Sequence, residues 1–179
     1  MEANKKIALA LSGGGVRAMA YHAGVLKSLA EKGDMERVGA ISTVSGGSLL
    51  VGMIYSLNDY KWPSSDKYLE EIFPEIAKIL ISKDIFLRWV ARLFLPWNWQ
   101  YCISRSNVMA STISAEWGIT GALSRIPKHP KWSINGTTFE YAIRFRFKPE
   151  NIGDYKLGYA APGAFPLSLA VASSAGFPI

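Results

Sequence analysis

The chain has 179 residues, 49% hydrophobic and 19% charged, which describes one domain with a sizeable core and excludes a disordered polymer. The formal net charge of +6 suits an anionic partner, a membrane surface or nucleic acid, but is equally compatible with a merely basic soluble protein. A single cysteine, Cys102, excludes an internal disulfide and fits a reducing compartment, and no apolar run reaches the ~18 residues of a membrane span.

Ile7–Leu11 is a short apolar run between a charged start and three glycines, and reads as a buried strand. The polar residues before it do not form a signal peptide. A helix is predicted over 17–32, with Leu26, Leu29 and Ala30 at helical spacing and Gly33 as its stop. Val38–Val44 is a second strand, Ser45-Gly46-Gly47 a sharp turn, and 48–57 an apolar helix. This strand–helix–strand–helix order implies parallel strands joined by a right-handed crossover.

The middle of the chain is helical in pattern, over 66–81, 84–95 and 107–117, and Pro74 is expected to kink or split the first of these near Phe73. The Pro-rich stretch 127–131 is a loop. Residues 132–135, 137–147 and 155–159 carry the β-branched and aromatic residues of strands, and 166–175 reads as a final short helix. The expected class is α/β, a three-layer α/β/α arrangement around a mostly parallel central sheet. It forms a single domain over 1–179 with a helical insertion at about 60–118. The apolar ending Gly176-Phe177-Pro178-Ile179 has no polar tail, which points to a continuation beyond it.

Two turns carry chemistry. Thr43-Val44-Ser45-Gly46-Gly47 has the strand–turn–helix context of a nucleophile elbow, in which a serine sits on a strained turn above the sheet edge. The usual pattern is G-x-S-x-G. Thr43 replaces its first glycine, and a β-branched residue there is expected to strain or reshape the turn. By itself the string also fits a plain glycine turn. The second feature is Ser12 followed by Gly13, Gly14, Gly15, Val16 and Arg17. Three glycines leave backbone N–H groups unshielded, as an oxyanion hole requires. Arg17 adds a fixed positive charge that suits a phosphate or braces the loop. In a parallel sheet both turns follow the carboxyl ends of strands, so they meet on one edge. A rival reading takes Gly13-Gly14-Gly15-Val16-Arg17-Ala18 as the dinucleotide fingerprint G-x-G-x-x-A. Asp34 then has the spacing of the ribose-binding acid but precedes the second strand.

These blocks, with Tyr21-His22-Ala23-Gly24-Val25-Leu26 between them, resemble the patatin-like phospholipase family. Residues 132–140 are similar to that family's strand with an Asn followed by small residues. Residues 166–178 resemble its alanine- and serine-rich helix and the Phe-Pro after it. The resemblance runs with gaps from Lys6 to Ile179. It implies a Ser–Asp dyad: Ser45 attacks the acyl carbonyl of a phospholipid or lysolipid, an aspartate takes its proton, and Gly13, Gly14 and Gly15 hold the oxyanion. The family places that aspartate in an Asp-Gly-Gly or Asp-Gly-Ala turn after the Phe-Pro block. No such tripeptide occurs in these 179 residues, so a C-terminal fragment or a partner chain is expected to supply it.

Among other candidate bases, His22 reads as a packed or capping residue, His129 as an exposed loop residue and Asp154 as a turn residue. The stretch from Ile85 to Trp99, with Trp89, Trp97, Arg88 and Arg92, is the candidate for peripheral membrane contact, or else a packed helix. The expected setting is cytoplasmic, peripheral on a membrane, with no metal, cofactor or nucleic acid. A catalytically inactive lipid-binding or regulatory remnant of the same fold is the main alternative.

Overall fold

The computed structural model describes residues 6–82, 85–93 and 105–176. Its strands form one six-stranded sheet in sequence order. β1 (Ile7–Leu11), β2 (Val38–Val44) and β3 (Lys131–Thr137) run parallel. β4 (Arg144–Phe147), β5 (Ile152–Asp154) and β6 (Gly158–Ala160) extend the sheet as an antiparallel meander. The α/β class therefore holds, with the parallel order confined to the first three strands.

Helix α1 (Gly15–Glu31) joins β1 to β2, and α2 (Gly46–Leu57) leaves β2 directly. Successive right-handed crossovers in one direction set both helices on the same side of the sheet. That side carries Leu11, Ile41, Thr43, Trp132 and Ile134, all buried. The opposite side presents Ala8, Ala10, Ala40, Ser42 and Ser133, exposed or half-buried. Full burial of a Leu or Ile contributes about 1.5–3 kcal/mol, and α2 buries Leu50, Val51, Met53 and Ile54 completely. Trp132 stacks on Tyr55 of α2 at 5.2 Å between ring centroids, which fixes the sheet under that helix.

The helix changes character at Phe73, where a split at Pro74 is expected, without ending. The backbone runs through α3 (Ser65–Lys67), a π-helical turn over Tyr68–Ile72 and α4 (Phe73–Ser82). The wider turn covers residue 70, whose carbonyl an ordinary helix would drive against the proline ring. α3 is fastened to the turn before β2: the Glu36 carboxylate accepts the Ser65 N–H at 2.6 Å and its hydroxyl at 2.7 Å. Burial alone raises the Glu36 pKa, but these two bonds together with one from its own backbone N–H outweigh it and hold the group below its usual value.

The aromatic stretch 137–147 is not one strand. Thr138 donates its N–H to Ile143 O at 2.9 Å, and Ala142 takes a positive φ of 51°. The chain reverses there between β3 and β4. Residues 155–159 likewise straddle a reversal between β5 and β6, where the Asp154 carboxylate accepts the N–H groups of Lys156 and Leu157 at 2.7 and 2.8 Å. Alternating β-type side chains do not show where a strand turns back.

Helix α5 (Ile85–Leu93) packs against α6 (Arg105–Trp117), with Arg88 and Arg92 both reaching Glu116 at 3.0 and 3.6 Å. Trp97 and Trp99 of the expected lipid-facing stretch, like Cys102, lie outside the described residues. No helix among the described residues is long and apolar enough to cross a membrane. The last helix, α7 (Leu167–Ala175), lies beside α2, α6 and β3.

Candidate active site

The carboxyl ends of β1, β2 and β3 share one edge of the sheet, and the two glycine turns meet there. Ser45 occupies the single residue between β2 and α2. Its backbone sits at φ 51° and ψ −116°, a conformation L-residues rarely adopt. Holding a non-glycine residue there costs on the order of 1–3 kcal/mol. Such strain persists only where packing over-determines it, and here it lifts a half-buried serine to the top of the sheet.

Three glycines make the close packing feasible. A Cβ on Gly13 would stand 3.1 Å from Ser45 Cβ and 3.6 Å from its Oγ. The first glycine of the loop thus lies directly against the serine. A Cβ on Gly46 would collide with the carbonyl oxygen of Gly15, and one on Gly47 would stand 2.6 Å from the carbonyl oxygen of Leu11. The start of α2 therefore rests on both β1 and the glycine loop, which is why two glycines follow the serine.

The loop is shorter than the 13–17 span expected. Gly14, at φ 138°, is the N-cap of α1, and the helix opens at Gly15 rather than Arg17. The first helical hydrogen bond runs from Ala18 N–H to Gly14 O at 3.4 Å. The amides of Gly15, Val16 and Arg17 thus belong to the first turn of α1, whose N–H groups precede that bond and whose dipole favours a negative charge. The whole run from Gly13 to Arg17 is exposed. His22, one turn further along, is buried and donates Nε2–H to Ser12 O at 3.1 Å, since a carbonyl can only accept. It braces the loop from beneath.

Thr43 does not distort the elbow. It lies within β2 in regular register with Leu11 and Ile134, fully buried, at a position where no positive φ is needed. Its hydroxyl belongs to a buried polar chain below the serine. Trp132 Nε1 donates to Thr43 Oγ1 at 3.0 Å, Ser48 Oγ lies 2.8 Å from Thr43 Oγ1, and Ser174 Oγ lies 2.9 Å from Ser48 Oγ. Ser174 donates in turn to Asn135 O at 2.6 Å and accepts the N–H of Ser45 at 3.0 Å. A helix 129 residues downstream in sequence thereby fastens the strained amide. The amide of Ser45 is thereby engaged by Ser174. The spacing of motifs did not reveal Ser48, Asn135 or Ser174. The available signal was small polar residues on the otherwise apolar faces of α2 and α7.

Replacing Ser174 by Ala takes the acceptor from the part-buried Ser45 N–H, at a cost of about 1 kcal/mol. The expected outcome is a lower melting temperature together with slower reaction of Ser45 toward a fluorophosphonate. Thermal unfolding and labelling time courses measure the two.

Among the described residues, none of the other candidate bases bonds to Ser45. Asp154 turns its Oδ1 to the β5–β6 hairpin amides, and His129 is exposed. Asp34 does not stand at the end of β2. It precedes the short 3-10 turn Met35–Arg37 and pairs with Arg37, so the acid of the dinucleotide fingerprint is misplaced. Among the described residues no group of three or more His, Cys, Asp or Glu forms a metal site.

The sequence model of the family described as patatin-like phospholipase matches residues 9–179. Human GIVD cytosolic phospholipase A2 in complex with methyl gamma-linolenyl fluorophosphonate is similar in structure. Its TM-score is 0.70 at 18% identity, over 98% of this chain and 30% of that one. The same human enzyme with that inhibitor and terbium chloride gives 0.67 at 19% identity, again over 98% and 30%. A third structure, of human GIVD cytosolic phospholipase A2, gives 0.59 at 21% identity over 90% and 24%. At these identities the likeness shows the fold, and the chain spans less than a third of the length of these structures. No curated protein sequence matches it. With an elbow serine seated against a glycine loop and a family match across nearly its whole length, the chain belongs to the patatin-like phospholipase family.

Proposed function

We propose that this chain is the nucleophile-bearing part of a serine acyl hydrolase that cleaves fatty-acyl esters of phospholipids or lysophospholipids. The observation that carries the reading is the contact between Ser45 and Gly13, with Ser45 Oγ 3.6 Å from the position of a Gly13 Cβ. Ser45 Oγ attacks the acyl carbon while its proton passes to an aspartate lying outside the 179 residues. The carbonyl oxygen takes up negative charge facing the amides of Gly13, Gly14 and Gly15, with Val16 and Arg17 completing the first turn of α1. The ester C–O bond then breaks, and the leaving alcohol takes the proton from the aspartic acid. Water hydrolyses the acyl-enzyme to the free fatty acid and restores Ser45. The match to a phospholipase family and the fluorophosphonate in the human neighbour's complex support this chemistry.

In this reading residues 1–179 are one domain, with 60–118 as a helical insertion, working at a cytoplasmic membrane surface. Contact through residues 85–99 is part of the proposal, with Arg88 and Arg92 acting as packing partners of Glu116 rather than lipid ligands.

Release of fatty acid from phospholipid vesicles, measured with the protein that includes the aspartate-bearing segment, tests the reading, with Gly13→Ala as the diagnostic variant. Its methyl group lies against the nucleophile and crowds the oxyanion, so kcat is expected to fall about 10²–10³-fold, as for loss of one oxyanion donor. The melting temperature should stay within a few degrees. Unchanged turnover in that variant removes the glycine loop from the mechanism. Vesicle binding with neither hydrolysis nor labelling establishes the inactive lipid-binding reading instead.

A further inference from the structure

We infer that the two hairpin turns on the same edge as Ser45 form a docking surface for anionic phospholipid membrane. The inference rests on the reading of Ser45 as a lipid-cleaving nucleophile, because that reading gives the edge its substrate. β5 runs antiparallel to β4, hence in the same direction as β3. The β3–β4 turn and the β5–β6 turn therefore emerge where Ser45 and Gly13 do, within roughly three to four strand spacings of about 4.8 Å.

Among the described residues, the two most exposed aromatic side chains lie on these turns. Phe139 is 97% exposed, Tyr155 72% and Leu157 63%, with Tyr141 and Tyr159 about half exposed. They form one surface, since Lys156 Nζ lies 4.0 Å from the Tyr141 ring centroid and so links the turns. Arg146 sits over the Tyr159 ring in the same way. The turns are braced. Asp154 accepts two consecutive amides under Tyr155 and Leu157, and Thr138 closes the other turn onto Ile143.

Rigid turns that hold a phenylalanine and tyrosines in water have the composition of a headgroup-level contact, where rings enter the interface and cationic tips stay wet. Charge sets the kind of membrane. Arg17, Arg144 and Lys156 are exposed along this edge and Glu140 is its exposed acid, so cations are in excess. Such an excess attracts phosphatidylglycerol-type headgroups and weakens with salt. Seated on these turns, the protein presents the glycine loop toward the bilayer, so a lipid ester need travel only a short way to Ser45.

Sedimentation with vesicles of phosphatidylcholine and phosphatidylglycerol tests the surface. Wild type is expected to bind, and to release as salt is raised. The triple variant Phe139→Ser, Tyr155→Ser, Leu157→Ser should lose about tenfold or more in partitioning. Its melting temperature and its fluorophosphonate labelling rate in the absence of lipid should be unchanged. A triple variant that binds as tightly as wild type overturns the surface. So does a wild type that is labelled at Ser45 yet does not bind vesicles, and that result leaves the hydrolase reading standing. Vesicle binding that depends on these residues in a protein that never labels supports the surface and removes the hydrolase.

Discussion

Ser45→Ala is expected to reduce fluorophosphonate labelling and ester hydrolysis to background while the protein remains folded. Losing the nucleophile of a well-formed serine hydrolase costs about 10⁶-fold in kcat. The Ser45 side chain carries no packing role that alanine cannot fill. It is half-buried, and its structural bond, to Ser174, is made by the backbone amide. The melting temperature should therefore barely move. Ser45→Gly sharpens the test. Glycine reaches φ 51° without penalty, so this variant should be as inactive as Ser45→Ala yet more stable, by about 1 kcal/mol or more. Gain of stability with loss of function is what a strained functional residue predicts. If both variants label as wild type does, another residue is the nucleophile.

The second large effect is structural. Gly47→Ala places a methyl group 2.6 Å from the Leu11 carbonyl oxygen and 2.7 Å from Leu11 Cβ. Neither atom is the end of a flexible side chain, so β1 and α2 must separate. Overpacking of this kind costs about 3 kcal/mol or more, which for a chain of this size lowers the melting temperature by roughly 10 °C. Separating α2 from β1 also draws Ser45 away from Gly13, so labelling should fall even in the protein that stays folded. Gly24→Ala is the control. It lies within α1 with nothing within 4 Å of an added Cβ, and helix propensity favours alanine there by up to about 1 kcal/mol. Differential scanning fluorimetry on both variants separates the two outcomes. If they melt alike, the contact between α2 and β1 is looser than described.

The element types of the first 57 residues were legible because each signal is local. The apolar runs at Ile7–Leu11 and Val38–Val44 and the helical spacing of Leu26, Leu29 and Ala30 correspond to β1, β2 and α1. The helices start at 15 and 46 rather than at the 17 and 48 expected because glycine is a poor helix former in isolation. Here it is required at the start by contact with Gly15 and Leu11. The antiparallel half is less legible for a related reason. The reversals at 138–143 and 154–158 depend on one positive φ and one buried carboxylate, neither visible in alternating side chains.

By itself the sequence determined that a serine between a strand and a helix, and a triple glycine between the preceding strand and helix, exist at a set spacing. Backbone freedom and element type are properties of neighbouring residues, so a linear string carries them. Only the tertiary structure decided that Gly13 touches Ser45, that Thr43 is satisfied within β2 and that Ser174 holds the elbow amide from 129 residues away. Those are relations between distant segments. They arise when parallel strands bring their carboxyl ends to one edge and α7 closes against α2, and spacing along the chain does not encode them.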